Sequence, residues 1–248
     1  MYPNGLVSAI RTLTIFPVRG HEPKKRYQAL LWFVVVGLGI GFLQYFAAKG
    51  LMRLPAPLVV FAGLFLAAIN YVFTGGLHID GLADAADAFG TVHAREKTLY
   101  ILKDPYIGSF GASMLILVIL WRIKAYQQLF NLNQADWIVY ALGISRCLQG
   151  LMLLWFPYAR GSEGKAYGYK GPLWVGGVLL AQIIGIELFV WHANGPFPAI
   201  ISILVGLAIL IPLFTISIKR ISGITGDCVG AAAELFECSF LVGAIACL

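Results

Sequence analysis

The chain has 248 residues, of which 59% are hydrophobic and only 12% are charged, and its mean hydropathy is +0.81. A soluble core of this size could not bury so much apolar surface, so the composition excludes an ordinary soluble globular protein and predicts an integral membrane protein. The net charge of +6 favours anionic lipid headgroups or an anionic substrate, and charge alone does not choose between them.

Apolar runs close to the roughly 20 residues that a helix needs to cross a bilayer follow one another along the chain. They predict an all-α fold, a polytopic membrane bundle of about seven transmembrane helices that forms a single domain over residues 1–248. The third run is the weakest. The predicted spans lie near residues 30–48, 56–73, 106–121, 137–156, 173–191, 198–218 and 228–247.

The distribution of lysine and arginine predicts the orientation, because short cytoplasmic loops are enriched in both. With the N-terminus in the cytoplasm, most of the 18 basic residues lie on the cytoplasmic side. Three loops then open on that same side, and a composite site can form there. They are the loop that holds the acidic segment described below, the loop of residues 157–172 and the loop of residues 219–227. The basic residues left outside are Lys49, Arg53, Arg122 and Lys124.

The segment GGLHIDGLADAADAFG, residues 75–90, holds a quarter of the chain's 12 acidic residues. If residues 80–90 are helical, Asp80, Asp84 and Asp87 share one helix face, since they stand at i, i+4 and i+7. Like charges this close repel each other, whereas Mg²⁺ prefers carboxylate and water oxygens and commonly bridges carboxylates to phosphates. The alternative is that the three carboxylates form only the solvated face of an interfacial helix.

His78 belongs to the same segment but is predicted to lie in a loop. A helix that already included it would turn it about 160° away from Asp80. A structural role and a role as general base both stay open for this residue.

Two later segments add charged residues. In LKDPYIGSFG, residues 102–111, Lys103 suits a phosphate as a point charge, and it equally suits a positive-inside anchor.

In SGITGDCVGAAAELFE, residues 222–237, the carboxylates of Asp227 and Glu234 share a helix face. Glu234 and its neighbour Glu237 would lie inside the membrane, where such residues are costly unless they face a cavity or a partner. We predict that Arg146, also within a span, pairs with one of these two glutamates, either as a structural bridge or in contact with substrate.

Four segments together resemble the cobalamin (5′-phosphate) synthases, also called adenosylcobinamide-GDP ribazoletransferases. The acidic segment resembles the family's H-x-D-G-L-A-D-x-x-D-G pattern, and LKDPYIGSFG resembles K-D-x-x-I-G-x-x-G. FPYARGSEG, residues 156–164, resembles Y-A-R-x-x-G, and the last segment resembles T-G-D-x-x-G-A-x-x-E-x-x-E. The chain departs from the family at Ile15, where an arginine is usual and for which Arg11 or Arg19 would have to substitute, and at Ala88, where a glycine is usual.

The resemblance implies a membrane-bound, Mg²⁺-dependent transferase that joins adenosylcobinamide-GDP to α-ribazole or its 5′-phosphate and releases GMP. It implies Mg²⁺ on Asp80, Asp84 and Asp87 with help from Asp104 or Asp227, phosphate contacts from Lys103 and Arg160, and a proton acceptor among Asp84, Asp87 and His78. The residues expected to contact substrate also include Arg146, Asp227 and Glu234.

Location and partners follow from the same resemblance. We expect a multi-pass protein of the prokaryotic inner membrane with its site on the cytoplasmic side. No nucleic acid is expected as a partner, and a homo-oligomer and contacts with other enzymes of nucleotide-loop assembly both stay open. The alternative function is a secondary transporter that uses Arg146, Glu234 and Glu237 as an intramembrane ion site.

Overall fold

The computed structural model describes residues 3–161, 164 and 167–248, and the regular structure over those residues is helical. One isolated β-bridge joins Tyr158 to Ile224. The prediction of an all-α fold is therefore confirmed. The helices are α1 (Pro3–Leu13), α2 (Tyr27–Leu30), α3 (Phe33–Leu51), α4 (Ala56–Val59), α5 (Ala62–Thr74), α6 (Leu77–Gly90), α7 (Arg95–Ile101), α8 (Ser109–Asn131), α9 (Asp136–Trp155), α10 (Leu173–Asn194), α11 (Pro196–Ala208), α12 (Leu210–Ile221) and α13 (Gly226–Ile245).

Among the described residues, 6 helical segments are long and apolar enough to cross a membrane, and the number rises to 7 if the bent pair α5 and α6 counts as one span. The prediction of about seven membrane helices is confirmed on that basis. The six segments are Tyr27–Leu51, Ser109–Asn131, Asp136–Trp155, Leu173–Asn194, Pro196–Ile221 and Gly226–Ile245.

The second predicted span, residues 56–73, is not a single straight helix. Its main part, α5, has only 13 residues, and α6 follows it after a bend of 90°. Gly75 and Gly76 form the bend with φ angles of 62° and 68°. This left-handed conformation costs other residues roughly 1–2 kcal/mol, so the glycine pair is what allows the sharp turn. The bend sets α6 across the end of α5.

Helix α8 is longer than predicted. The sequence prediction ended this span at residue 121, whereas the helix continues to Asn131. The placement of Arg122 in an outer loop is wrong, since this residue is buried in the middle of α8. Its charge is tolerated there because carboxylates from α13 meet it.

Helices α9 and α13 form the centre of the bundle, and nearly all their residues are buried. Helix α3 packs on α9 at very short range. A Cβ on Gly37 would lie 2.5 Å from the Leu142 carbonyl oxygen, and one on Gly41 would lie 2.6 Å from the Val139 Cα. Small residues that let backbones approach in this way are typical of membrane helix interfaces. The tightly packed centre holds Arg146 and the two glutamates of α13.

Candidate active site

The acidic segment forms helix α6, which begins at Leu77 directly after the glycine bend. The condition for a shared carboxylate face, a helix over residues 80–90, is therefore met. Asp80 is exposed, and Asp84 and Asp87 are partly buried. The side chains that α6 buries are mostly small: His78, Gly81, Leu82, Ala83, Ala85 and Ala88.

These small residues let α13 approach α6 closely. A Cβ on Gly81 would lie 2.9 Å from the Asp227 Cα. Asp227 therefore joins the three aspartates of α6, and the negative charges of Asp80, Asp227 and Asp87 all act on the Asp84 carboxyl group. We call these four residues the aspartate face. It concentrates negative charge at the place where the first and last sequence motifs meet.

Arg160 is the basic side chain that opposes this charge most directly. Its Nη2 donates to Asp227 Oδ2 at 3.2 Å and to the Leu102 carbonyl oxygen at 3.0 Å. Thr225 Oγ1 donates to the same Asp227 oxygen at 3.0 Å. One guanidinium thus connects three of the motifs predicted from the sequence, and its charge also acts on Asp84. A single arginine does not balance four carboxylates.

Lys103 and Asp104 follow directly on the carbonyl that Arg160 holds. The side chain of Lys103 is exposed, and that of Asp104 is partly buried. Asp104 Oδ1 accepts a hydrogen bond from the Tyr106 backbone N–H at 3.1 Å, which stabilises the turn before α8. The geometry therefore brings the loop of Lys103 to the aspartate face, and it gives Asp104 a local structural contact.

Asp87 differs from the other aspartates because both of its oxygens accept backbone hydrogen bonds. The Gly108 N–H donates to Oδ2 at 2.7 Å, and the Gly111 N–H donates to Oδ1 at 2.8 Å. These N–H groups belong to the first turn of α8, where the helix dipole favours a negative charge. Asp87 thus fixes the start of α8 against α6.

The donors at the aspartate face fit a hard divalent cation. Among the residues that the structure describes, no three His, Cys, Asp or Glu side chains converge as ligands of one metal ion. Mg²⁺ does not require this, because it usually keeps several water ligands and binds one or two carboxylates together with substrate phosphates. Asp80 and Asp84, one helical turn apart beside Asp227, meet that requirement.

A second group of charges is buried deeper, between α8, α9 and α13. Arg122 Nη2 donates to Glu234 Oε2 at 2.6 Å and to Glu237 Oε2 at 3.0 Å. Arg146 Nη1 lies 3.1 Å from Glu237 Oε1, which also accepts a hydrogen bond from Ser145 at 2.8 Å. We call Arg122, Arg146, Glu234 and Glu237 the buried ion cluster. The predicted pairing of Arg146 with a glutamate is confirmed for Glu237, whereas Glu234 pairs with Arg122.

The N-terminal segment packs against the glycine bend. The Ile15 backbone N–H donates to the Phe73 carbonyl oxygen at 3.1 Å, and the Ile15 side chain lies against Gly75. Arg11 is occupied elsewhere, because it donates to the Val18 carbonyl at 2.8 Å and pairs with Glu22 at 3.2 Å. Hydrogen bonds from Ser8 and then from Arg11 lower the pKa of Glu22. Arg11 therefore supports this loop, and it does not replace an arginine at position 15.

Comparisons with known proteins identify the family. A family model described as cobalamin-5-phosphate synthase matches residues 5–245. The chain belongs to this family. Relatives named adenosylcobinamide-GDP ribazoletransferase include a protein of Chlorobium phaeobacteroides (strain BS1), 37% identical over 239 residues, with 94% of each chain covered.

The similarity extends beyond one group of bacteria. A relative of the same name from Chlorobaculum tepidum is 37% identical over 240 residues, covering 94% of this chain and 92% of its own. One from Pseudomonas entomophila is 36% identical over 241 residues, covering 95% and 96%. No solved structure matches the chain. The resemblance predicted from the sequence motifs is confirmed.

Within this cobalamin-5-phosphate synthase fold, His78 is not where the sequence suggested. The prediction that it lies in a loop is wrong, because it belongs to the first turn of α6 and is 5% exposed. Its ring nitrogens lie 3.5 Å from Gln149 Nε2, and α13 packs on its backbone at Gly230. His78 therefore points into the bundle, away from the aspartates on the other side of the helix.

Two arginines of this family member have roles that sequence reasoning missed. Arg122 binds both glutamates of the buried ion cluster. The sequence did contain an indication of this role, because two buried glutamates were predicted with only one arginine, which implies a second cation. Arg220 is one of the basic residues predicted on the cytoplasmic side, and its Nη1 donates to the Phe89 carbonyl at 2.9 Å and to the Thr91 carbonyl. It thus holds the C-terminal end of α6, where a cation is favoured by the helix dipole.

The motif FPYARGSEG is described only in part. Its Arg160 is placed as above, the Ala159 backbone N–H donates to the Ile224 carbonyl oxygen at 2.9 Å, and the Ile224 N–H donates to the Pro157 carbonyl oxygen at 2.9 Å. Ser162 and Glu163 lie outside the described residues. The structure therefore places Arg160 of this motif beside Asp227 of the last motif.

Proposed function

We propose that this protein is an adenosylcobinamide-GDP ribazoletransferase, an enzyme that joins adenosylcobinamide-GDP to α-ribazole or its 5′-phosphate and releases GMP. The observation that carries the proposal is the aspartate face, where carboxylates from two motifs meet Arg160 from a third. Surplus negative charge next to an arginine suits a site that binds a cation and a pyrophosphate together. The names of the relatives give the same substrate.

The reaction is a phosphoryl transfer. The ribazole 3′-hydroxyl oxygen forms a bond to the phosphorus attached to the corrinoid, the bond from that phosphorus to the bridging pyrophosphate oxygen breaks, and GMP leaves with the bonding electron pair. The hydroxyl proton must go to a base. Most of the catalysis in such reactions comes from positioning and electrostatic stabilisation, so the site needs fixed charges more than reactive groups.

We assign the cation to Asp80 and Asp84, with Asp227 beside them. A bound Mg²⁺ would supply Lewis-acid stabilisation of the pyrophosphate. Asp87 is the weakest candidate ligand because both its oxygens hold α8, and Asp104 is secondary because it stabilises its own loop. Asp84 is also the candidate base, through the carboxylate oxygen that would not hold the cation, since it lies between the other carboxylates and has no hydrogen-bond partner among the described residues.

The basic residues would bind the phosphates. Arg160 is already fixed by Leu102 and Asp227, and its planar guanidinium suits phosphate oxygens. Lys103 follows Leu102 directly and would contribute a point charge. His78 is buried on the other side of α6, so we assign it a structural role.

We further propose that the N-terminus and the aspartate face are cytoplasmic, in the inner membrane of a prokaryote. The positive-inside pattern supports this orientation more strongly once Arg122 is counted within the membrane and not with the outer loops. A reagent that labels cysteines from one side only, used on a cysteine introduced at Asp104, tests it. Labelling from the periplasm would contradict the proposal.

The transporter alternative has no support in the buried ion cluster. Its two arginines and two glutamates pair with one another, which leaves no surplus charge for a coupling ion. We therefore do not propose it.

GMP release from adenosylcobinamide-GDP and α-ribazole by purified protein tests the proposed function. We expect release to require both substrates, and we expect Asp84→Asn to reduce it at least about a hundredfold. Asp136→Asn makes the same chemical change at the far end of α9 and should leave the rate unchanged. No release from folded wild-type protein would contradict the proposed function.

A further inference from the structure

Arg95 is the first residue of α7, the short helix that connects the acidic helix α6 to the Lys103 loop. Its Nη2 donates to the Ala159 carbonyl oxygen at 2.9 Å, and its Nε donates to the Ile221 carbonyl oxygen at 3.3 Å. One planar guanidinium thus holds two carbonyls that lie far apart in the chain. The Ala159 carbonyl belongs to the peptide group that leads into Arg160, so this contact bears on the position of a proposed phosphate ligand.

The residue before Arg160 is held by both of its backbone polar groups. The Ala159 N–H donates to the Ile224 carbonyl oxygen at 2.9 Å, and the Ala159 carbonyl accepts the bond from Arg95. The Ile224 N–H in turn donates to the Pro157 carbonyl oxygen at 2.9 Å. A backbone fixed in this way limits the directions in which the next side chain can point. The bond from Arg95 is the one of these three that a side-chain substitution removes.

The contact between α7 and the Arg160 segment is reciprocal. Arg95 at the start of α7 holds the backbone of Arg160, and the Arg160 side chain donates to the carbonyl of Leu102, which caps the end of α7. At 1.5 Å per residue, the two contacts are about 10 Å apart along the helix. Two separated contacts fix the orientation of α7 as well as its position. Because Lys103 follows Leu102, they also fix the Lys103 backbone relative to Arg160.

The attachment of α7 to the bundle does not depend on Arg95. Arg95 itself is exposed, whereas Thr98 of the same helix is fully buried. An exposed charged side chain contributes little to global stability. The placement of charges around a phosphate is far more sensitive, because a small displacement of a binding group already costs affinity and rate. We therefore expect the role of Arg95 to be visible in substrate binding and not in unfolding.

We propose that Arg95 is a positioning residue: it fixes the backbone of Arg160, so that the Arg160 guanidinium and the Lys103 loop meet the pyrophosphate of adenosylcobinamide-GDP in one arrangement. The inference rests on the proposed function, because the pyrophosphate belongs to that substrate. Arg95 acts through Arg160 and is assigned no contact with substrate itself.

Equilibrium binding of adenosylcobinamide-GDP to the purified protein tests the inference without turnover. We expect Arg95→Ala to weaken binding at least about tenfold and to change α-ribazole binding less than about twofold, because a preorganised charge is lost on the pyrophosphate side only. Lys97→Ala removes one exposed positive charge from the same helix and should leave both affinities unchanged. Arg95→Lys keeps a long side chain that can donate to the Ala159 carbonyl, and it should recover part of the loss.

A double-mutant cycle with Arg160→Ala shows whether Arg95 acts through Arg160. If it does, Arg95→Ala should weaken adenosylcobinamide-GDP binding less than about twofold further once Arg160 is absent, because coupled residues are not additive. Effects that multiply would mean that Arg95 contacts the substrate itself or acts on the fold as a whole. Either result would overturn the positioning role.

Amide hydrogen exchange reports on the proposed contact directly and needs no substrate. In Arg95→Ala, the peptide of residues 156–161 should exchange at least about tenfold faster than in the wild type, whereas peptides from α9 and α13 should keep their protection. Faster exchange throughout the bundle would show a general loss of structure and would contradict the inference. Lys97→Ala should exchange as the wild type does.

The outcomes separate the positioning role from the proposed function. If wild-type protein releases GMP and Arg95→Ala binds adenosylcobinamide-GDP as wild type does, the positioning role is overturned and the function stands. If wild-type protein neither binds that substrate nor releases GMP, the proposed function fails. Hydrogen exchange then still decides whether Arg95 orders the Arg160 segment, and unchanged exchange of residues 156–161 would overturn that as well.

Discussion

The protein carries two groups of acidic side chains that look alike in sequence and differ in structure. In the buried ion cluster, Glu234 and Glu237 meet Arg122 and Arg146, so that charge is balanced. At the aspartate face, the charges that act most strongly on Asp84 are three carboxylates and one arginine, Arg160. Balanced charge inside a membrane bundle stabilises a unique packing, whereas unbalanced charge at its edge is unfavourable until a ligand arrives. The comparison therefore separates residues that maintain the fold from residues that act on substrate.

The largest expected effect concerns the buried ion cluster. Arg122→Leu removes the cation that pairs with Glu234 and one of the two cations that pair with Glu237. Breaking a buried ion pair in this way lowers the free energy of unfolding by roughly 3–5 kcal/mol. Thermal unfolding in detergent should show a large decrease in stability. Lys124→Leu, an exposed change on the same helix, is the control. Equal unfolding temperatures for the two variants would mean that the cluster does not hold the bundle together.

The aspartate face should respond in the opposite way. Asp84→Asn removes repulsion from its neighbours, so we expect the unfolding temperature to stay constant or to rise. Activity should fall at least about a hundredfold, which corresponds to about 2.7 kcal/mol of transition-state stabilisation. The two measurements should be made on the same preparation. A variant that loses activity only because it unfolds would remove the distinction between the two regions.

Asp87 should behave as an intermediate case. Asp87→Ala removes the acceptor of two backbone hydrogen bonds at the start of α8, and we expect a loss of about 2 kcal/mol in stability. Asp80→Ala is the matched control, because Asp80 is exposed and its loss should change stability little. If both substitutions were equally harmless to folding, the assignment of Asp87 to the α8 terminus would be wrong.

The smallest of these effects is expected at the glycine bend. Gly75→Ala forces a side chain into the left-handed region and against Ile15, and the conformational part alone costs about 1–2 kcal/mol. Gly177→Ala is a control, because nothing described in the structure lies within 4 Å of the position that its Cβ would take. Restoring part of the loss by adding Ile15→Ala would show that the contact contributes. Full stability of Gly75→Ala would contradict the role of the bend.

The sequence alone predicted the parts of this architecture that depend on local spacing. The aspartates of α6 share a face because helix geometry fixes it, and Arg146 pairs with Glu237 because buried charges must find partners. The long-range parts were missed. Ending the third span at residue 121, before Arg122, assumed that a charge marks a loop, although the carboxylates that make this charge tolerable lie on α13, more than a hundred residues away.

The bend and His78 show the same limit. The sequence analysis made no prediction for the pair Gly75–Gly76, and only the structure shows that both residues adopt left-handed angles and that α6 begins directly after them. That early start places His78 in the helix and turns its ring into the bundle. The angles at the two glycines therefore decide where α6 begins, and residue spacing alone does not encode that start.

Binding of a divalent cation tests the central claim, that the aspartate face binds metal and phosphate, most directly. Isothermal titration of Mg²⁺ into purified protein saturated with adenosylcobinamide-GDP should show binding to the wild type and to Asp136→Asn, and binding at least tenfold weaker to folded Asp84→Asn. Equal Mg²⁺ affinity in all three proteins would contradict the account.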